Sequence, residues 1–182
     1  RRQNQPLWKL IGGTNQVIDV GADFGVQDSI DMLLGNITGA LDAGFKRIKL
    51  KYCRGWDVDM IAAVRSTFPD PVFHIDCNSG YTLDDLSMFK KLDQYNLAMI
   101  EQPLMRDDLV DHAELQQQIE TPICLDESIT SPEKAWRALK IKAGRWMNIK
   151  PARVGGVTQA LEINRICEAE GIPCWTGGML ES

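Results

Sequence analysis

Short apolar runs alternate along the chain with stretches whose apolar positions recur every three to four residues. The short runs are Val17–Val20, Arg47–Lys51, Val72–Asp76, Ala98–Glu101, Ile123–Asp126, Trp146–Ile149 and Pro173–Thr176. Their length and β-branched content predict strands. The periodic stretches are Ser29–Ala43, Asp57–Thr67, Leu83–Gln94, Leu109–Ile119, Pro132–Ala143 and Val157–Glu170, and they predict helices. In the second of these, Val58, Ile61, Ala62, Val64 and Arg65 follow the helical period, with Asp57 placed as its N-cap. Ser131 followed by Pro132 predicts another helix start, with proline at the first helical position. Strand, helix, strand at this rhythm predicts βαβ units and a parallel sheet.

The strands end in polar residues at regular intervals. Lys51, Asp76, Glu101, Asp126 and Lys150 follow one another at spacings of 25, 25, 25 and 24 residues, close to one βα unit per step. That repeat brings five charged groups to one sheet edge. In a (β/α) barrel the catalytic groups come from the C-terminal ends of several strands, so this is the edge where chemistry is expected. An open doubly wound sheet is the competing architecture, but no GxGxxG follows the first strand.

Composition narrows the class of partner. The chain is 44% hydrophobic and 25% charged, as in ordinary globular proteins. Its 20 basic and 25 acidic side chains give a net charge of -5, with no basic cluster to receive a nucleic acid. No apolar run is long enough for a membrane span, and residues 1–6 lack the apolar core of a signal peptide. Five cysteines without a CxxC pair suggest thiols in a reducing cytoplasm. The partners expected are a small-molecule carboxylate substrate and further copies of the chain, with neither nucleic acid nor membrane.

Asp76, Glu101 and Asp126 fall on three consecutive strands, which lie about 4.8 Å apart. Carboxylates that close repel unless a cation stands between them. Oxygen ligands without His or Cys suit a hard divalent ion, Mg²⁺ first and Mn²⁺ as the alternative. Lys49 and Lys51 lie on one face of the second strand, where each ammonium is expected to depress the other's proton affinity and favour use as a base. Lys150 ends the sixth strand, diametrically opposite the second in an eight-stranded barrel. A substrate carboxylate on the metal would then have a lysine at each face of its α-carbon, an arrangement for proton abstraction with the enediolate stabilised by metal. Other signals are blander. Asp76–Gly80 lacks the glycine and glutamate of a calcium loop; His74 alternates with Asp76 in its strand, within reach of the site, but is read as a packed or surface histidine, and with His112 it is too few for a His-rich metal site. The five tryptophans are read as packing, and Gly155-Gly156 as a simple turn.

Lys49-Leu50-Lys51, Asp76-Cys77-Asn78-Ser79-Gly80-Tyr81, Ile100-Glu101-Gln102-Pro103-Leu104, Leu125-Asp126-Glu127-Ser128 and Asn148-Ile149-Lys150-Pro151 resemble the successive motifs of the enolase superfamily. The resemblance is nearest to its muconate-lactonizing-enzyme subgroup. Arg153-Val154-Gly155-Gly156 and Gly177-Gly178-Met179-Leu180-Glu181-Ser182 resemble most the o-succinylbenzoate synthases and N-acylamino acid racemases. Cys53 departs from the pattern, which often has proline there. The resemblance implies Asp76, Glu101 and Asp126 as Mg²⁺ ligands, Lys51 as general base, and Lys150 as the opposing base or a cation facing the enolate. It implies Lys49 as a residue that tunes Lys51 or holds the substrate carboxylate, Asn78 as a residue orienting a ligand, and Glu181 as a neighbour of the polar network.

The reaction implied is syn-dehydration of 2-succinyl-6-hydroxy-2,4-cyclohexadiene-1-carboxylate to o-succinylbenzoate, a step of menaquinone synthesis. Racemases of N-acylamino acids, dipeptide epimerases and cycloisomerases use the same two lysines. An answer of another class is a catalytically silent barrel fragment. Seven units of about 25 residues take up the chain, whereas a closed barrel needs roughly 200 to 250. The chain is therefore read as a connector over residues 1–16 and an incomplete barrel over 17–182, without the eighth strand and the N-terminal capping domain.

Overall fold

In the computed structural model, which describes residues 4–15 and 17–179, seven strands pair in sequence order into one wholly parallel sheet. They are β1 (Gly21–Phe24), β2 (Arg47–Lys51), β3 (Val72–Asp76), β4 (Ile100–Glu101), β5 (Ile123–Leu125), β6 (Trp146–Ile149) and β7 (Cys174–Thr176). The helices are α1 (Leu7–Leu10), α2 (Ile30–Asp42), α3 (Asp57–Thr67), α4 (Leu86–Leu92), α5 (Leu109–Gln118), α6 (Pro132–Lys140), α7 (Pro151–Val154) and α8 (Val157–Ala169). A parallel sheet in unbroken order, with helical crossovers, is the arrangement of a (β/α) barrel wall. No helix among the described residues is long and apolar enough to cross a membrane.

Alternation along the strands explains how one sheet serves two purposes. Ile48, Leu50, Phe73, Ile75, Ile100, Ile123, Leu125, Met147 and Ile149 belong to the apolar core together with Leu33 and Ile37 of α2, Met60, Ile61 and Val64 of α3, and Phe89 and Leu92 of α4. The intervening positions, Lys49, Lys51, His74, Asp76, Glu101 and Asn148, meet one another on the other face. Successive strand residues point to opposite faces, so the apolar set binds the helices and leaves the polar set to the barrel interior.

The helix starts follow local chemistry. Ser29 Oγ accepts the amide of Met32, Ser131 Oγ that of Lys134, and Asp108 that of Asp111. Arg65 locks the exit of α3, donating to the carbonyls of Phe68, Pro69, Pro71, Tyr95 and Asn96. All five cysteines are free thiols.

The structure corrects the sequence reading in several places. The first strand is Gly21–Phe24 rather than Val17–Val20; Val17 and Ile18 are 87% and 73% exposed. Gly21 pairs with Arg47 so closely that a Cβ there would stand 2.9 Å from the Arg47 carbonyl, and a glycine-led strand carries no apolar signal. Asp57 does not cap α3: Trp56 is the N-cap and Asp57 the first helical residue, its carboxylate accepting from the Gly55 amide and the Tyr81 hydroxyl. The stretch Leu83–Gln94 is α4 flanked by 3₁₀ turns at Leu83–Asp85 and Asp93–Tyr95. The short α1 and α7 were not predicted, four residues being too few to show a period.

Candidate active site

The strand register lines up the charged ends. Lys51 on β2 is level with Asp76 on β3, and Asp76 with Glu101 on β4. Glu101 is level with Cys124, so Asp126 stands two residues further along, just past β5. Parallel pairing with this stagger carries the polar edge gradually up the sheet, as barrel closure requires.

The sequence-predicted residues meet here in two groups. In the first, Lys51 Nζ donates to Asp76 Oδ2 (2.6 Å) and Asn78 Oδ1 (2.7 Å). Lys49 lies between two carboxylates, 2.8 Å from Asp76 Oδ2 and 2.9 Å from Glu101 Oε2. In the second, Lys150 Nζ donates to Asp126 Oδ2 (2.8 Å), and Arg153 pairs with the other Asp126 oxygen. Asn78 also donates to Glu127 Oε1 (3.0 Å), tying the loop after β3 to that after β5. Its φ of +43° is one that Asn tolerates better than most side chains.

Electrostatics follow from burial. The side chains of Asp76, Glu101 and Asp126 are at most 1% exposed, and that of Lys49 8%. Burial and the neighbouring Asp76 charge push the Glu101 carboxyl up to about 7, against the pull of Lys49. Burial acts on Asp76 in the same direction, but Lys49 and Lys51 overcome it and hold this carboxyl below the usual carboxylate range. Lys49 reverses the sequence expectation: burial disfavours its charge, yet Glu101 and Asp76 outweigh that and raise its pKa. The carboxylates beside it, and not its like-charged neighbour, decide the sign.

Beneath the charged layer, His74 is buried edge-on to Trp175, and neither ring nitrogen has a hydrogen-bond partner among the described residues. Burial, with Arg47 and Lys49 near, lowers its pKa to about 3. Of the packed or surface positions the sequence allowed, His74 takes the packed one, and its Nε2 also approaches the site, 3.9 Å from Glu101 Oε2. Trp175 in turn lies under the Arg47 and Lys49 cations, 4.7 and 5.4 Å from its ring centroid. Gly177 continues the β7 ladder onto Ile149 and stands so close to the site that a Cβ would be 2.5 Å from Asn148 Oδ1 and 2.9 Å from Lys150 Cε.

Sequence reasoning did not single out four participants. Asn148 donates to Glu101 Oε1 (2.9 Å), Arg153 holds Asp126, Glu127 holds Asn78, and Gln102 ties β4 to the loop carrying Asp126. All four lie within the quoted motifs, and strand alternation placed Asn148 on the inner face, two residues before Lys150. Glu181 lies outside the described residues.

Among the described residues, no three His, Cys, Asp or Glu side chains stand grouped for a metal ion; the carboxylates are held in ion pairs with Lys49, Lys51, Lys150 and Arg153. The donor set nonetheless fits a hard divalent cation. It is all oxygen, it comes from the ends of three adjacent strands, and Glu101 Oε2, though beside Lys49, is buried without an aligned hydrogen bond.

Comparison with known proteins gives a concordant result. Residues 34–182 match the family model described as Enolase C-terminal domain-like. The chain is 48% identical to an o-succinylbenzoate synthase of Geobacillus kaustophilus over 100% of its length and 48% of the relative's. It is 47% identical to an N-succinylamino acid racemase of Thermus thermophilus over 98% of its own length and 48% of the relative's. A crystal structure of an enolase-superfamily member from Listeria innocua superposes with a TM-score of 0.95 at 42% identity, covering 100% of this chain and 49% of that one. The chain thus spans about half the length of the curated relatives it matches.

Proposed function

The chain belongs to the Enolase C-terminal domain-like family, and from that premise we propose that it carries the catalytic groups of a metal-dependent o-succinylbenzoate synthase. The observation behind this reading is the placement of two lysines, Lys51 and Lys150, at the ends of β2 and β6, on either side of three buried carboxylates. Homologues named o-succinylbenzoate synthase at 47–48% identity support it.

Asp76, Glu101 and Asp126 would hold Mg²⁺, or Mn²⁺ in its place. The ion would supply Lewis-acid stabilisation of the enediolate formed next to a substrate carboxylate. Lys51, the more exposed lysine at 32%, would take the α-proton on its unprotonated amine. The electron pair left on the α-carbon would then expel the β-hydroxyl on the same face, and the Lys51 ammonium would return its proton to that oxygen, so that water leaves and Lys51 ends as the free amine. Lys150, across the site, would face the developing enolate as a cation. Asn78 would steady Asp76 and Lys51, and Lys49 would keep the carboxylate layer neutral from below.

A second reading, N-succinylamino acid racemisation, has an observation of its own. Each lysine ends in an ion pair, Lys51 with Asp76 on β3 and Lys150 with Asp126 past β5, and with one on each side of the carboxylates the amine of one would take the α-proton while the ammonium of the other returns a proton to the opposite face. A relative named for that activity is 47% identical. Assaying the whole protein with the cyclohexadiene substrate and with N-succinylamino acids separates the two. Dehydration is expected, and its absence beside efficient racemisation would overturn the first reading.

A further inference from the structure

We infer that Gln102 is a positioning residue that sets the Asp126 carboxylate for the divalent cation; this rests on the metal reading above. Gln102 follows Glu101 directly and is fully buried. Its backbone adopts φ +38°, a conformation side-chain-bearing residues rarely take. Such strain persists only where the surroundings over-determine it, and here they do.

The Gln102 side-chain Oε1 accepts two backbone amides, those of Asp126 (2.9 Å) and Ser128 (3.1 Å). Its Nε2 donates to Ser128 Oγ (2.8 Å) and the Leu104 carbonyl (3.1 Å), and lies 3.4 Å from His112 Nε2. The two amide donors fix which end of the side chain is oxygen. His112 completes the frame: its Nε2 accepts the Leu104 amide (3.2 Å), so its Nδ1 carries the proton toward the Asp108 carbonyl. One glutamine therefore joins the end of β4, the loop leading to α5 and the backbone of Asp126. The Asp126 carboxylate faces Lys150 and Arg153 from a loop that Gln102 holds.

Gln116 is the matched control. It is also buried, with Oε1 accepting the Ile123 amide (2.7 Å) and Nε2 donating to Thr121 O (3.3 Å), but it clamps the opposite end of β5. Gln102→Met and Gln116→Met each exchange a buried glutamine for an unbranched apolar side chain of similar length. The readouts are Mn²⁺ affinity by electron paramagnetic resonance and hydrogen exchange of the Asp126 and Ser128 amides without metal, in the whole protein.

Gln102→Met is expected to weaken Mn²⁺ binding about 10- to 100-fold and to speed exchange at both amides. Gln116→Met is expected to do neither, even where it lowers the melting temperature as much. Ser128→Ala, which removes one of these bonds, serves if Gln102→Met does not fold, and should weaken Mn²⁺ binding in the same direction by less. Equal Mn²⁺ affinity in Gln102→Met and the parent, or equal loss in both glutamine variants, overturns the positioning role alone. If Asp126→Asn binds Mn²⁺ as tightly as the parent, the metal reading falls and takes this inference with it.

Discussion

Replacing Lys49 with methionine probes the charge balance at the base of the site. The Lys49 side chain is 8% exposed and its ammonium touches Asp76 at 2.8 Å and Glu101 at 2.9 Å, neither side chain more than 1% exposed. Methionine keeps the stem and removes the cation, leaving two buried carboxylates short of a partner. Breaking one side of a buried pair costs about 3–5 kcal/mol; at this depth solvent screening offers little relief. Lys49 has a folded pKa above its usual 10.5, so its contribution is complete below pH 10.5 and is lost as pH rises through the folded value. Urea denaturation at pH 7.5 without divalent ions should therefore show the deficit, which should shrink in strong alkali as Lys49 loses its proton and also in acid, as the Glu101 carboxyl, raised to about 7, takes one up. A cation bound by the same carboxylates compensates the same charge. Mg²⁺ at 100 times its dissociation constant stabilises by about 2.7 kcal/mol, and the variant should reach that point at a lower Mg²⁺ concentration than the parent. Equal stability of variant and parent in metal-free buffer would refute the charge argument. An Mg²⁺ response no stronger in the variant would refute the shared-carboxylate argument.

Three further outcomes follow from the geometry. Gly177→Ala places a methyl 2.5 Å from Asn148 Oδ1 and 2.9 Å from Lys150 Cε; turnover should fall at least 10-fold, by analogy with other misplacements of catalytic groups by about 1 Å, while the urea midpoint moves little. Unchanged turnover would show that Lys150 has slack. Arg65→Met removes donors to five carbonyls around the α3 exit and should cost about 2–4 kcal/mol in urea denaturation without altering turnover of the folded protein. A loss below about 0.5 kcal/mol would mean that water replaces those bonds. His112 is buried and accepts the Leu104 amide, its pKa lowered by that burial; nitrogen NMR should show a neutral ring protonated at Nδ1 through the range where exposed histidines titrate. A ring that charges near pH 6.5 would contradict the hydrogen-bond assignment.

The site was more legible in the sequence than the frame that holds it. Regular spacing placed Lys51, Asp76, Glu101, Asp126 and Lys150 at one edge because a βα unit has a nearly fixed length, and the register keeps them there. Strands β2, β3 and β6 came out to the residue because their alternation is strong. The first strand did not: Gly21–Phe24 pairs through backbone and a close glycine contact, while the apolar run before it is exposed. The direction of the Lys49 shift was also hidden, since it depends on which charges lie nearest once strands stagger. Gln102 and Asn148 carry no charge and no period; their roles come from contacts with residues 24 to 47 positions away.

Exchange of the α-proton with solvent tests the account at its centre. Incubated in D₂O with the separate enantiomers of an N-succinylamino acid, the whole protein should wash deuterium into the α-position, even where overall racemisation is slow. Lys51→Ala should abolish exchange from one enantiomer and Lys150→Ala from the other, each binding Mn²⁺ at least as tightly as the parent because an ammonium paired with a ligand carboxylate is gone. Exchange from both enantiomers at the parent's rate in either variant would contradict the placement of the two lysines on opposite faces of the substrate.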